Sequence, residues 1–210
     1  LLARVSTVVH MAAQVSFWED FSRARANVAS TLAVLAFCRD ARAVLHHGST
    51  LSVFGAWQTD GPATGGGGGG GGDARLDERA SIGADARHSG VAHADGYSQS
   101  KWASEKLVAD AARAWRVRAV VHRLGFMSWA RASGASNPSD WLTRLLRAAR
   151  RVGAWPDCGC VLHLGAVDWA AETVVRCVSH DAPPPITHVF NSKPTPLALL
   201  VRAAPGRALA

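Results

Sequence analysis

Lysine, tyrosine and methionine are nearly missing from this chain: its 210 residues hold one Tyr, two Met and three Lys among 23 basic residues. Arginine therefore carries almost all the positive charge, and a lysine at a given place is hard to explain as a neutral choice of cation. No apolar run approaches the length that crosses a bilayer, about 20 residues. The N-terminus has neither the charged region nor the cleavage site of a secretory signal, and a soluble, cytoplasmic chain is expected. The four cysteines, Cys38, Cys158, Cys160 and Cys177, form no paired framework. Cys158-Gly159-Cys160 is also too tightly spaced for a zinc knuckle, so reduced structural thiols are the expectation. The nine histidines are dispersed and show no metal-ligand spacing, and His46-His47 reads as strand rather than site. The net charge of +7 would suit nucleic acid, but the arginines are scattered, with no basic run and no aromatic-interleaved strand. Neither a nucleic acid nor a membrane is expected as partner. The chain opens Leu1-Leu2-Ala3-Arg4 without an initiator Met, which reads as the middle of a longer protein.

What is present is ordinary globular material, 48% hydrophobic, in which strand and helix signals alternate. Ser6 to His10 is a short β-branched run followed by the small residues Met11-Ala12-Ala13-Gln14-Val15, a strand and a loop that a ligand can approach closely. Trp18 to Arg39 repeats at helical spacing with Val28, Leu32, Leu35 and Ala36 on one side. Ala43 to His47 is a second strand, running into the hydroxyl cluster Ser49-Thr50 at its carboxyl end, where open α/β sheets place their ligands. Arg118 to His122 is a third, closing on Arg123-Leu124-Gly125. A helix over Ser139–Arg151 sets Trp141, Leu142, Leu145 and Leu146 against a basic face of Arg144, Arg147, Arg150 and Arg151. That face is either solvated or a dock for an acidic partner. Val161 to Leu164 reads as strand, Val167 to Val178 as helix, Pro183-Pro184-Pro185 as rigid linker, Thr187 to Phe190 as strand and the segment after Pro196 as a frayed helix. The alternation predicts an α/β fold with a parallel sheet and right-handed crossovers.

Between the second and third strands lies a polar stretch from Gln58 to Asp95 with eight consecutive glycines, Gly65 to Gly72. It lacks the alternation, the preceding strand and the following helix of a phosphate loop, and reads as a low-complexity insertion. Behind it, Gly96-Tyr97-Ser98-Gln99-Ser100-Lys101-Trp102 opens a helix. Tyr97, the single tyrosine, and Lys101 are four residues apart and leave one face about a turn from each other. A nearby ammonium favours phenolate, so Lys101 is expected to lower the Tyr97 pKa and make it a general acid near neutral pH. On spacing alone the pair is equally compatible with a solvated helix surface.

Four segments, taken in order, resemble the extended short-chain dehydrogenase/reductase family, and within it the thioester-reductase domains of non-ribosomal peptide synthetases, α-aminoadipate reductases and carboxylic acid reductases. They are His10 to Val15, Asn27-Val28 with Thr31, Ser49 to Gly55, and Tyr97 to Trp102. Trp141 to Asp157 and Val167-Asp168-Trp169-Ala170 look like the substrate side of the same subfamily. The resemblance implies a Rossmann-like parallel sheet with flanking helices, lacking its first βαβ part. It divides into a partial NAD(P)-binding domain over residues 1–136, with the insertion near 58–95, and a substrate-side region over 137–210. It implies that Thr50 hydrogen-bonds the substrate carbonyl, that Tyr97 is the acid, and that Lys101 holds the nicotinamide ribose and tunes Tyr97. Asn27 would support Lys101 through water. Ala12, Ala13, Val15, Ser49, Leu124 and Gly125 would line the cofactor together with Tyr97 and Lys101.

The implied reaction is NADPH-dependent reduction of an acyl or peptidyl thioester, carried on a phosphopantetheine carrier protein or coenzyme A, to an aldehyde or onward to an alcohol. The alternatives are a fatty acyl-CoA reductase, a sugar-nucleotide epimerase, or a non-catalytic Rossmann-like module. Met11 stands where the family has Asn and Leu124 where it has Pro. No Gly-x-x-Gly-x-x-Gly follows an N-terminal strand, so a fragment of a larger enzyme is expected.

Overall fold

The computed structural model describes residues 4–58, 77–79, 82–83, 91–155 and 159–203. The glycine run and most of the polar insertion around it lie outside the described residues, as do Pro156, Asp157 and Cys158. The elements follow one another as β1 (Thr7–His10), α1 (Phe21–Ala41), β2 (Val44–Thr50), α2 (Gly96–Ala114), β3 (Ala119–Leu124), β4 (Phe126–Ser128), α3 (Trp141–Val152), β5 (Val161–Leu162), β6 (Leu164–Ala166), α4 (Val167–Val178), β7 (Ile186–Val189), β8 (Thr195–Pro196) and α5 (Leu197–Ala203). Two compact units emerge: residues 1–124 with 177–188, and residues 125–176 with 189–210.

In the first unit β1, β2, β3 and β7 lie side by side in that order. β2 pairs in parallel with both β1 and β3, as the β–α–β alternation requires. The register sets His10 opposite His47 and Thr50 opposite Leu124, so β2 and β3 end level at their carboxyl edge while β1 stops three residues short of it. Leu35 and Cys38 of α1, Leu45 of β2, Val108 and Ala111 of α2 and Val121 of β3 form its core.

The buried stripe of α1 is Ala24, Asn27, Thr31, Leu35 and Cys38. It is rotated from the apolar stripe expected from sequence, and Leu32 is 45% exposed. The reason is that α1 packs on α2 through a polar seam. Asn27 Nδ2 donates to Ser100 Oγ at 3.0 Å, and Thr31 Oγ1 donates to Ser104 Oγ at 3.2 Å. Small, hydrogen-bonded side chains bring the helices close without leaving buried polar atoms unmet.

The second unit pairs β4 with β6 in parallel and β5 with β8 antiparallel. Leu142, Leu146 and Ala149 of α3 pack on Leu197 and Val201 of α5. Asp140 caps α3 by accepting from the N–H groups of Leu142 and Thr143. Trp141, placed on the apolar face by its sequence position, is 41% exposed, because it lies at the first turn, beside Phe126. Arg144, Arg147, Arg150 and Arg151 are exposed, as the spacing predicted. Cys38 and Cys177 are free, whereas Cys160 is disulfide-bonded; the expectation of reduced thiols fails there. Among the described residues no helix is long and apolar enough to cross a membrane, and no cluster of His, Cys, Asp and Glu is arranged to hold a metal.

Candidate active site

The N-terminus of α2 is fixed by two local features. Asp95 accepts from the Ser98 N–H at 2.9 Å as N-cap, and the Gly96 N–H donates to the Glu19 carbonyl at 3.1 Å. A Cβ on Gly96 would stand 2.3 Å from the carbonyl carbon of Asp20, so glycine alone fits where the two chain segments touch. From this anchored start Tyr97, Lys101 and Glu105 follow at intervals of four along α2, on one helical face.

Each meets the carboxyl half of β2. Tyr97 lies beside the Thr50 side chain, whose hydroxyl donates to Ser52 Oγ at 3.2 Å, and Lys101 Nζ lies 3.5 Å from His47 Nε2. Ser49 Oγ donates to Glu105 Oε1 at 2.5 Å. Glu105 also receives Arg123 of β3, Nη2 to Oε2 at 2.9 Å and Nε to Oε1 at 3.1 Å. This ion pair is nearly sealed from water, with side chains 2% and 4% exposed, and Arg123 lies over the Phe54 ring with its guanidinium 4.8 Å from the centroid.

The electrostatics reverse one sequence-based expectation. The Tyr97 pKa is not lowered. Burial, reinforced by the Asp95 charge, pushes it up to about 12, and the neighbouring Thr50 hydroxyl offsets only part of the rise. Lys101 moves the other way: burial brings it down to about 8, with Glu105 opposing. At neutral pH the pair is therefore a neutral phenol beside a largely protonated ammonium. That is the form in which a tyrosine has a proton to give.

Asn27 lies at the seam between α1 and α2. Its Oδ1 accepts from the Gln14 N–H at 2.7 Å and its Nδ2 donates to the Gln14 carbonyl at 2.9 Å and to Ser100 Oγ. It thus clasps the loop after β1, on which Ala12, Ala13 and Val15 are exposed. Ser49, expected beside the cofactor, is buried and turned to Glu105. Leu124 ends β3 opposite Thr50. Gly125 opens the second unit, where its N–H donates to the Val189 carbonyl at 2.9 Å and a Cβ would stand 2.6 Å from Phe190 Cβ.

Comparison with known proteins gives the family of the chain. Residues 1–174 match the NAD-binding family described as male sterility protein. The chain belongs to that family. The family and its relatives are NAD(P)-dependent reductases. The isonitrile lipopeptide synthase of Streptomyces coeruleorubidus is 33% identical over 193 residues, 91% of this chain and 12% of that protein. The large subunit of L-2-aminoadipate reductase from Penicillium chrysogenum is 29% identical over 198 residues, 90% of this chain and 13% of that protein. Among solved structures, the terminal R domain of the myxalamid PKS-NRPS biosynthetic pathway superposes with a TM-score of 0.73 at 26% identity, covering 90% of this chain and 44% of that one. The chain thus spans about an eighth of the length of the curated relatives it matches and under half of that solved domain.

Around this candidate site, sequence reasoning missed Glu105, His47 and Ser100. Glu105 was within reach, since it continues the four-residue interval of Tyr97 and Lys101 on α2. His47 was not, because only strand pairing and helix packing bring it to Lys101.

Proposed function

We propose that this chain is the catalytic part of an NADPH-dependent reductase that converts a carrier-bound acyl or peptidyl thioester to an aldehyde. The observation that carries the reading is the placement of Tyr97 and Lys101 one helical turn apart on the face of α2 that meets Thr50 and His47 of β2. The reductase relatives support the thioester as substrate class. The residues present fit the nicotinamide end of a dinucleotide. Lys101 is a buried ammonium with one long hydrogen bond among the described residues, so it retains N–H groups for ribose hydroxyls, and the loop that Asn27 clasps offers the small, exposed side chains of Ala12 and Ala13.

A bound NADPH would supply the hydride. As it reaches the thioester carbonyl carbon, negative charge builds on the oxygen. Thr50 and Tyr97 are positioned hydroxyl donors for that oxygen, in a partly desolvated site where such donors are most effective. Tyr97, held protonated by burial, passes its proton to the oxygen, and the Lys101 charge stabilises the phenolate left behind. One hydride and one proton give the hemithioacetal, whose collapse moves the hydroxyl proton to sulfur and releases aldehyde and thiol.

The test is aldehyde formation, trapped as an oxime, from acyl-pantetheine and carrier-bound thioesters with NADPH or NADH. Tyr97→Phe is expected to retain cofactor binding and to lose at least about 100-fold in rate, the usual scale of a general acid. Aldehyde production at an unchanged rate by Tyr97→Phe refutes the assignment. Epimer exchange on a sugar nucleotide, without thioester reduction, replaces the reaction class.

A further inference from the structure

Ser49 and Thr50 end β2 side by side, and of the two the reaction proposed above uses Thr50. Its own turn settles its rotamer: Thr50 Oγ1 accepts from the Ser52 N–H and donates to Ser52 Oγ, both at 3.2 Å. Those bonds are local and do not fix Thr50 relative to a group on another element. Ser49 supplies that link. The family resemblance sets it beside the cofactor, yet it is buried, and its hydroxyl donates to Glu105 Oε1 at 2.5 Å. Glu105 stands on α2 about two turns, or roughly 12 Å, beyond Tyr97. On the far side of Thr50, Phe54 in the 3-10 segment Leu51–Gln58 is buried against Arg123, whose guanidinium lies 4.8 Å from the ring centroid. Arg123 is the ion-pair partner of Glu105. His188 closes the arrangement, with Nε2 3.3 Å from Arg123 Nη1 and its ring edge-on to Phe54 at 5.8 Å. The residue before Thr50 and the segment after it are thus both tied to one buried ion pair, and that pair is mounted on the helix that carries Tyr97.

We infer that Ser49, Glu105 and Arg123 are positioning residues for the reduction, holding Thr50 in register with Tyr97 so that two hydroxyls reach one carbonyl oxygen. The inference rests on the reductase reading above. Two donors share a developing oxyanion only when each lies about 3 Å from it, and a misplacement of about 1 Å can cost on the order of 100-fold in rate. A hydroxyl at the last residue of a strand is exposed to such drift, because the ladder that holds β2 to β3 ends there. The ion pair removes the drift. Its carboxylate receives Arg123 through Nε and Nη2 and receives Ser49 from β2, so α2, β2 and β3 are joined at one point. None of the three side chains donates to the carbonyl oxygen; they act through Thr50.

Ser49→Ala cuts the tie to β2 and leaves the ion pair in place. It is expected to lower kcat for an acyl-pantetheine thioester about tenfold with KM within about twofold, since the Thr50 donor matters most as charge develops in the transition state. Thr50→Val is expected to lose about 100-fold, and adding Ser49→Ala to it is expected to cost nothing further, because the residue being positioned is already gone. Phe54→Leu, at the other tie, is expected to follow the same pattern. A Ser49→Ala protein at full kcat overturns the inference, and so does a tenfold loss that persists on the Thr50→Val background, which would place the effect of Ser49 elsewhere. A second readout needs neither substrate nor cofactor. With 13C-methyl threonine, the Thr50 signal, assigned by its loss in Thr50→Val, is expected to be single and sharp in the parent protein and to broaden or split in Ser49→Ala. A signal as sharp as the parent's overturns the positioning role. A protein that reduces no thioester refutes the reductase reading, while the methyl signal still decides whether Ser49 and Glu105 hold Thr50.

Discussion

Removing Glu105 is expected to be the most damaging single polar substitution in the first unit. Its carboxylate receives three N–H···O contacts from Arg123 and the Ser49 hydroxyl, with both charges almost wholly excluded from water. Glu105→Ala leaves the guanidinium buried against the Phe54 ring without its counter-ion. Breaking one side of such a pair costs about 3–5 kcal/mol, and the orphaned Ser49 hydroxyl adds about 1 kcal/mol. Against a total stability of about 5–15 kcal/mol that is a large share. Urea unfolding followed by tryptophan fluorescence measures it. Glu105→Gln, which keeps one acceptor, is expected to lose less. The double variant Glu105→Leu/Arg123→Met removes both charges and is expected to regain most of the loss, since a buried pair replaced by apolar side chains is often nearly neutral. A Glu105→Ala cost below about 1 kcal/mol, or a double variant as unstable as the sum of its singles, refutes the claim that the charges depend on each other.

Lys101 has a folded-state pKa of about 8 against 10.5 in the open chain, so its burial opposes folding by roughly 3 kcal/mol while it is charged. Between these values the unfolded chain binds more protons, and this group's contribution to stability rises with pH; Lys101→Met is expected to raise the melting temperature below pH 8 and to flatten that rise, as calorimetry at pH 7 and 9.5 would show. Asn27→Leu removes three hydrogen bonds and frees the loop carrying Ala12 to Val15; amide exchange at Gln14 is expected to quicken at least tenfold, and unchanged protection would refute the clasp. Gly96→Ala forces a Cβ to within 2.3 Å of the Asp20 backbone; a loss of about 2 kcal/mol or more is expected in the same urea experiment.

The β–α–β order, the strands of the first unit and the bounds of α2, α3 and α4 were legible in the sequence because each rests on local patterning: β-branched runs and apolar residues at helical spacing. Tyr97, Lys101 and Thr50 stood out as candidates on local signals too: a single tyrosine four residues before a rare lysine, and hydroxyls at a strand's end. The sequence could not reveal that α1 buries Asn27 and Thr31 instead of Leu32. That depends on Ser100 and Ser104 of α2, 73 residues away, coming close enough to complete their hydrogen bonds. Nor could it reveal the direction of the Tyr97 shift. The spacing announces the attraction of a neighbouring ammonium, but desolvation is a property of the assembled interior, and here it is the larger effect. The partners of Lys101 and Glu105 were hidden for the same reason. His47 and Arg123 reach them only once β2 and β3 are paired and α2 is laid across them, so local chemistry named the candidate groups and tertiary packing set their charge and their support.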